Sequence, residues 1–343
     1  MLTLHSKVVS MKNFYLKKLC WILNIKFIRS IEFFNIQNLF YKISYFKKQK
    51  QTNNEFYVEA QVNQFVGLGH MLGNILSSYA VAKRFNLKGI YISPEIENLL
   101  QEKFNTKLPT EIDGLIILRN KKIRKITIPR INLSTENGIN LFKDLTSRIT
   151  NSQCVIKLEK DQFVKELFLS KEYLKTLFQK HISEHHQSYI NGQYKIGIHI
   201  RLGDITQKTK FKKRVLNKNY YNKIIKILLR LESVLKPDRA EFIIFTDDPH
   251  NLNLPKFNYE IDQSTNAKEA FIKMSYCDIL VCSRSSFSYK SALINKNVII
   301  YPNDFWHSYP KDSRYISVDP INPKLNHYVI LQTIREVKSS NFL

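Results

Sequence analysis

Polar clusters stand directly behind apolar runs in the second half of this 343-residue chain, and their side chains suit the holding of phosphate. His199-Ile200-Arg201-Leu202-Gly203-Asp204 overlaps the end of one run, Thr246-Asp247-Asp248 closes the next, and Ser283-Arg284-Ser285-Ser286-Phe287-Ser288 closes a third. Arg201 offers a planar fork of donors that matches two phosphate oxygens at once, and Gly203 lets the chain turn close to a ligand. Ser285, Ser286 and Ser288 fall where a helix is expected to begin. Hydroxyls, unpaired backbone N–H groups and the positive end of the helix dipole all favour an anion there. The combination suits the diphosphate of a nucleotide sugar. In a transfer reaction it would stabilise the charge growing on the departing nucleoside diphosphate, with no metal required. Singly, each piece has a plainer reading, His199 as a buried structural histidine and the serines as a helix cap. Their recurrence on consecutive strand ends is what points to a site.

The elements behind these clusters read as an α/β fold. Apolar runs at Lys195–Ile200, Glu241–Thr246, Ile279–Cys282 and Val298–Tyr301 alternate with helical periodicity at Asn219–Leu235, Ala267–Tyr276 and Phe287–Ile294. This is the pattern of a doubly wound parallel sheet, which binds ligands beyond the carboxyl ends of its strands. In the first half, a strand over Tyr57–Val62 leads through Gly67-Leu68-Gly69-His70-Met71-Leu72-Gly73 into a helix carrying Leu72, Ile75, Leu76, Tyr79 and Ala82, and then to a strand at Gly89–Ser93. The G-x-G-x-x-x-G spacing is not the dinucleotide fingerprint, and Glu95 and Glu97 are poorly placed as its ribose-binding acid, so a redox cofactor is not indicated. Gly67 and Gly69 are expected either in a loop where backbone nears a substrate across a cleft, or in a tight packing turn. A Lys- and Asn-rich middle yields one helical signal, Gln162–His181. The polar stretch Glu184–Gln193 then separates domain 55–193 from domain 194–343.

The net charge of +24 draws polyanions: nucleic acid, anionic lipid or diphosphate-bearing small molecules. No nucleic-acid-binding motif accompanies it and the basic residues are spread, so nucleic acid is not an expected partner. Cys20, Cys154, Cys277 and Cys282 are too few and scattered for a disulfide framework, and read as core thiols in a reducing compartment. No run reaches the ~18–20 apolar residues of a membrane span, and the stretch Leu19–Ile25 lacks a signal-peptide cleavage site. Residues 1–54 form a basic extension in which a single acid, Glu32, opposes Lys7, Lys12, Lys17, Lys18 and others, interleaved with Phe14, Trp21, Phe27, Phe33 and Phe34. Two readings stay open: residues 1–50 lying on an anionic membrane surface, which the basic and aromatic density favours, or helices packed on the protein body.

The ordered set Gly67-Leu68-Gly69, His199-x-Arg201-x-Gly203-Asp204, Phe245-Thr246-Asp247-Asp248, Met274-Ser275-x-Cys277, Ser285-Ser286-Phe287-Ser288 and Pro302-x-x-x-Trp306 resembles the α-1,2-fucosyltransferases, over roughly Val66 to Trp306. The resemblance implies a GT-B fold of two facing Rossmann-like domains. It implies GDP-fucose as donor in the C-terminal domain, inversion at the anomeric carbon, a glycan acceptor and no obligate metal or cofactor. By it, Arg201 holds the donor β-phosphate, His199 and Asp204 shape the same pocket, and Ser285, Ser286 and Ser288 line the donor site, with Gly203 and Asp247 also expected among the donor-binding residues. The chain departs from the family at Leu202, where a second arginine is usual, at Ile205 for tyrosine, at Tyr289-Lys290 for an aromatic pair, and at His70 for asparagine. These departures bear on the sugar, acceptor and linkage rather than on phosphate binding. For the base that takes the acceptor proton, Asp204 is the first candidate and His70, from the facing domain, the second. The expected setting is the cytoplasmic face of a bacterial membrane, where surface glycans such as lipopolysaccharide or capsule are built. A different nucleotide sugar, or a non-catalytic polyanion-binding protein, are the competing readings.

Overall fold

A computed structural model describes residues 55–60, 67–104, 108–119, 123–128, 131–149, 153–158, 161–178, 194–203, 214–235, 240–264 and 266–340. The basic extension 1–54, the interdomain stretch 184–193 and Asp204 lie outside the described residues.

Two sheets form. The first orders its six strands β3-β4-β2-β1-β6-β5, with β1 (Glu55–Glu59), β2 (Gly89–Ile92), β3 (Glu111–Ile112), β4 (Leu115–Arg119), β5 (Lys125–Ile128) and β6 (Gln153–Leu158). It is parallel apart from the β3–β4 pair. The second, also six-stranded, is parallel throughout in the order β12-β11-β10-β7-β8-β9. Its strands are β7 (Tyr194–Ile200), β8 (Ala240–Thr246), β9 (Glu260–Ile261), β10 (Ile279–Val281), β11 (Val298–Pro302) and β12 (Tyr315–Val318). The helices are α1 (Leu68–Arg84), α2 (Pro94–Phe104), α3 (Glu136–Ser147), α4 (Lys218–Leu235), α5 (Ala267–Tyr276), α6 (Ser286–Ile294) and α7 (His327–Ser340). This is the expected pair of parallel-rich α/β sheets, and both belong to one compact unit, residues 53–143 and 151–343. Among the described residues no helix is long and apolar enough to cross a membrane.

The second sheet shows how sequence periodicity aims the site residues. Along β7, Ile196, Ile198 and Ile200 enter the same core as Tyr220, Ile224, Leu228 and Leu231 of α4, a stripe at helical spacing. Each such buried side chain contributes ~1.5–3 kcal/mol of transfer free energy. The alternate β7 positions face the other way: Gly197 lies under Cys277 and Phe245, and the His199 ring centroid is 5.8 Å from that of Phe287 on α6. Cys154, Cys277 and Cys282 are buried free thiols, as expected of core cysteines. Because β8 lies on one side of β7 and β10 on the other, the connections from neighbouring strands β7 and β10 diverge. That divergence opens a crevice at the carboxyl ends of these two strands.

The glycines of the first half do not behave as a loop. Gly67 is exposed and precedes α1, but Gly69 is already helical and buried. A Cβ on Gly69 would stand 2.6 Å from the backbone nitrogen of Phe287, and one on Gly73 would meet Lys290 Nζ at 3.2 Å. Four residues apart on one helix face, these glycines let the start of α1 pack directly on the start of α6. The close approach expected of a substrate at Gly69 is made instead by backbone of the second half. The middle segment holds β4, β5 and β6, which were not legible because β5 is a sheet-edge strand with Lys125 and Thr127 off the core, and β6 carries an exposed Lys157.

Gly69→Ala must wedge the two helices apart and is expected to destabilise the chain by ~1–3 kcal/mol in urea titration. Gly67→Ala, at the N-cap with no atom within 4 Å of its Cβ, should cost no more than the poorer cap, ~0.5 kcal/mol. Equal unfolding midpoints for the two variants would contradict the contact.

Candidate functional site

The loop leaving β7 is held by one carboxylate. Asp247, at the end of β8, accepts through Oδ1 from the backbone N–H groups of Leu202 (2.8 Å) and Gly203 (3.0 Å), while its Oδ2 lies 3.2 Å from Arg201 Nε. A Cβ on Gly203 would sit 2.8 Å from the same Oδ2, so the turn closes this tightly only around glycine. Asp247 therefore fixes the loop and orients the guanidinium. Its oxygens are turned to protein donors, which suits it to positioning more than to direct contact with an anion. Arg201 and Gly203 are half-buried at the crevice.

His199 and Ser283 join the strands that flank the crevice. The His199 ring is 4% exposed and its Nδ1 hydrogen-bonds with Ser283 Oγ at 2.7 Å. Burial, then the nearby Arg201 charge, pull its pKa down to about 3, so the ring is neutral at any physiological pH. Its bond to Ser283 ties β7 to the segment that follows β10.

The serines at the start of α6 are satisfied within the protein. Ser285 Oγ caps the helix by accepting from Phe287 N at 3.2 Å, and the fully buried Ser288 donates to Ser285 O at 3.4 Å. Ser286 Oγ lies 2.9 Å from His307 Nε2. His307 Nδ1 is 2.7 Å from the carbonyl oxygen of Val164, which can only accept, so Nδ1 carries the proton. Nε2 of the neutral ring then accepts from Ser286 and, at 3.2 Å, from Trp306 Nε1. Burial first, and Lys290 next, hold His307 neutral with a pKa near about 3, against the pull of the Val164 carbonyl. The hydroxyls thus shape the α6 start and lock it to the first half of the chain; what they leave to face the crevice is the helix end itself.

Positive charge gathers at this junction. Neither α1 nor α6 has an acid in its first turn, where acids are ordinarily stabilising. Lys290 is fully buried on α6, its Nζ making a 3.4 Å hydrogen bond to Ser286 O. His70, exposed on the first turn of α1, has its pKa lowered by partial desolvation, then by Lys290 and Arg214. The Arg214 guanidinium lies 4.6 Å from the ring centroid of Trp306, itself 39% exposed. From the first half comes Asp161, which follows β6 and interacts with the Lys290 charge.

Of the residues singled out in the sequence, the structure brings His70, Ser285, Ser286 and Ser288 to the α1–α6 junction and His199, Arg201, Gly203 and Asp247 to the neighbouring crevice. Gly67 precedes α1 without touching α6, and Asp204 falls outside the described residues. Asp161, Lys290 and His307 were not anticipated. Their signal was weak: a lone acid behind a Lys-bearing strand, a lysine inside an apolar helix, and a histidine in a loop. Among the described residues no cluster of His, Cys, Asp or Glu is arranged to hold a metal ion.

Histidines buried in the neutral state make folding sensitive to acid. Below pH ~6.5 the unfolded chain takes up protons that folded His199 and His307 refuse, so stability should fall with pH by ~1.4 kcal/mol per unit for each ring until about pH 3. Urea titrations of the wild type and His199→Gln at pH 7.5, 6 and 5 test this: the variant should lose stability less steeply. Parallel slopes would contradict it.

No family model matches the chain, and no curated protein does. Among solved structures, the chain is similar to a NodZ α-1,6-fucosyltransferase co-crystallised with GDP, at 14% identity over 75% of this chain and 97% of that one, with a TM-score of 0.47. It is similar to a fucosyltransferase NodZ from Bradyrhizobium at 13% identity, covering 80% and 98% of the two chains, TM-score 0.47. It is similar to the E. coli heptosyltransferase WaaC with ADP at 11% identity, covering 82% and 99%, TM-score 0.38.

Proposed function

We propose that this chain is an inverting glycosyltransferase that takes a sugar from a nucleoside diphosphate, with GDP-fucose as the donor and a surface glycan as the acceptor. The observation that carries the reading is that β7, which leads into the Asp247-anchored Arg201 loop, is joined through His199 to Ser283 and Phe287 at the α6 start. An oriented guanidinium and an acid-free helix start within one crevice suit a diphosphate. His199, Gly203, Asp247, Ser285, Ser286 and Ser288 act as the frame that keeps these groups in place.

Catalysis on this reading is electrostatic. As the bond from the anomeric carbon to the phosphate oxygen breaks, negative charge grows on the diphosphate, and Arg201 with the α6 dipole stabilises it without rearranging. The acceptor glycan enters from the side of the first sheet, where His70 stands exposed on α1. Fucose rather than another sugar, and the α-1,2 linkage in particular, rest on the motif order from Gly67 to Trp306. Residues 1–50 would hold the enzyme on the anionic inner face of the membrane while it works.

A panel of GDP-, UDP-, CMP- and dTDP-sugars, assayed for binding and hydrolysis, tests the reading. GDP-fucose should be selected, and Arg201→Ala should lower its turnover by on the order of 100-fold. Selection of another sugar nucleotide would retain the phosphate site and replace the donor. No binding of any donor would overturn the enzyme reading.

A further inference from the structure

If the crevice of the second half holds the departing diphosphate, the acceptor hydroxyl must lose its proton to a group on the opposite side of the reacting carbon. Among the described residues such a group is sought in the first half, at the carboxyl edge of its sheet, with oxygens not committed elsewhere. The acids near the junction can be weighed against that requirement. Glu59 Oε1 is 2.7 Å from Lys125 Nζ and its unpartnered Oε2 is buried away from solvent, Asp247 is bound to the Arg201 loop, and Asp304 is paired with Arg284. Among the described residues no donor bonds the carboxylate of Asp161, which is only partly exposed.

Its surroundings hold it firmly. The next residue, Gln162, is 4% exposed: its backbone N–H donates to Ser77 Oγ of α1 (2.6 Å), and its side chain spans from Leu133 N (2.9 Å) to Ile131 O (3.1 Å). Phe163 has φ +54°, a left-handed conformation that a bulky residue adopts only where its surroundings enforce it. Val164 O and Lys165 O then accept from His307 and from Ser308 N (2.9 Å), tying the segment to the second half. Lys290, fully buried in the room left by Gly73, is the charge that acts on Asp161.

Resting on the reading of this site as one of sugar transfer from a nucleoside diphosphate, we propose that Asp161 is the base of the reaction, taking the acceptor proton, and that Lys290 is the positioning residue whose charge governs it. The acceptor oxygen bonds to the anomeric carbon as its proton passes to an Asp161 oxygen. The bond from that carbon to the phosphate oxygen breaks, its electron pair leaving with the nucleoside diphosphate. Protonated Asp161 returns the proton to water, so atoms and charge balance without a further reactant.

The titration of the cluster agrees with this geometry. Burial raises the Asp161 carboxyl to about 6, with Lys290 opposing the rise, and burial lowers Lys290 to about 7, with Asp161 opposing the fall. A carboxylate that titrates close to neutrality is suited to accept a proton and give it up again. The other titratable groups around Lys290 are His70 from α1 and His307 from the loop after β11, both of whose pKa values it helps to lower; Arg214 adds fixed positive charge beside His70. Turnover should therefore rise as pH passes upward through about 6.

The test uses the full chain, with GDP binding by calorimetry and hydrolysis of GDP-fucose as readouts, since water then takes the acceptor's place. Asp161→Asn should bind GDP within about 2-fold of wild type and lose hydrolysis by on the order of 100-fold or more, and Asp161→Glu should recover part of it. In Lys290→Met, of similar volume, the acid limb of the kcat/KM profile should move to higher pH. Retained hydrolysis in Asp161→Asn, or GDP binding lost together with hydrolysis, would overturn the assignment and leave a structural role. A wild type that neither binds GDP nor turns over any sugar nucleotide would instead remove the transferase reading on which the assignment stands.

Discussion

Two helices, one from each half, begin against each other, and their like poles meet. The first turns of α1 and α6 touch through Gly69 and Phe287, and neither carries an acid there. Each N-terminus is equivalent to roughly half a positive charge. Lys290 is buried at the contact, with His70 and His307 close enough to feel it, and Arg214 close enough to His70 to be felt there. A protein assembles such repulsion only if something offsets it. Within the chain the offsets are Asp161 beside Lys290 and Asp247 beside Arg201 in the adjacent crevice. A bound diphosphate would supply the remainder, which is why the junction and the β7–β10 crevice are best understood as one site.

The rest of the local structure keeps that site rigid. Asp247 spends its carboxylate on the Arg201 loop, and Ser283 bridges to buried His199. His307, with a fixed tautomer, links α6 to the Val164 carbonyl of the first half. None of these side chains has to contact a ligand to matter. Each removes a degree of freedom from a group that would, and preorganisation of this kind carries much of the catalytic power of electrostatic sites. The same economy explains two local departures from backbone preference. Glycines inside α1, each costing ~0.5–1 kcal/mol relative to alanine, permit the helix contact, and the left-handed Phe163 fixes the chain next to Asp161.

Much of the second half was legible in the sequence because its strands are buried on both faces. Continuous apolar runs such as that of β7 mark them, and the polar clusters then fall at their carboxyl ends without further assumption. The α6 serines were read correctly as a helix start, but the use of the Ser286 hydroxyl was not legible, since its partner His307 is distant in sequence. The G-x-G-x-x-x-G segment was read as a turn when the last of its spacings is a helical one, with Gly69 and Gly73 on one face. Asp161 was invisible for a physical reason. Its strand, β6, carries Lys157, its segment follows no familiar turn chemistry, and nothing in the sequence announces that Phe163 adopts a positive φ or that a lysine from α6 is buried beside it.

The central claim is that a nucleoside diphosphate binds between the Arg201 loop and the α6 start. Amide hydrogen exchange, measured with and without saturating GDP, addresses it most directly. The account predicts slowed exchange confined to peptides covering residues 199–203 and 283–290, with residues 68–73 of α1 responding alongside them. Protection appearing elsewhere, with those peptides unchanged while GDP is bound, would contradict it.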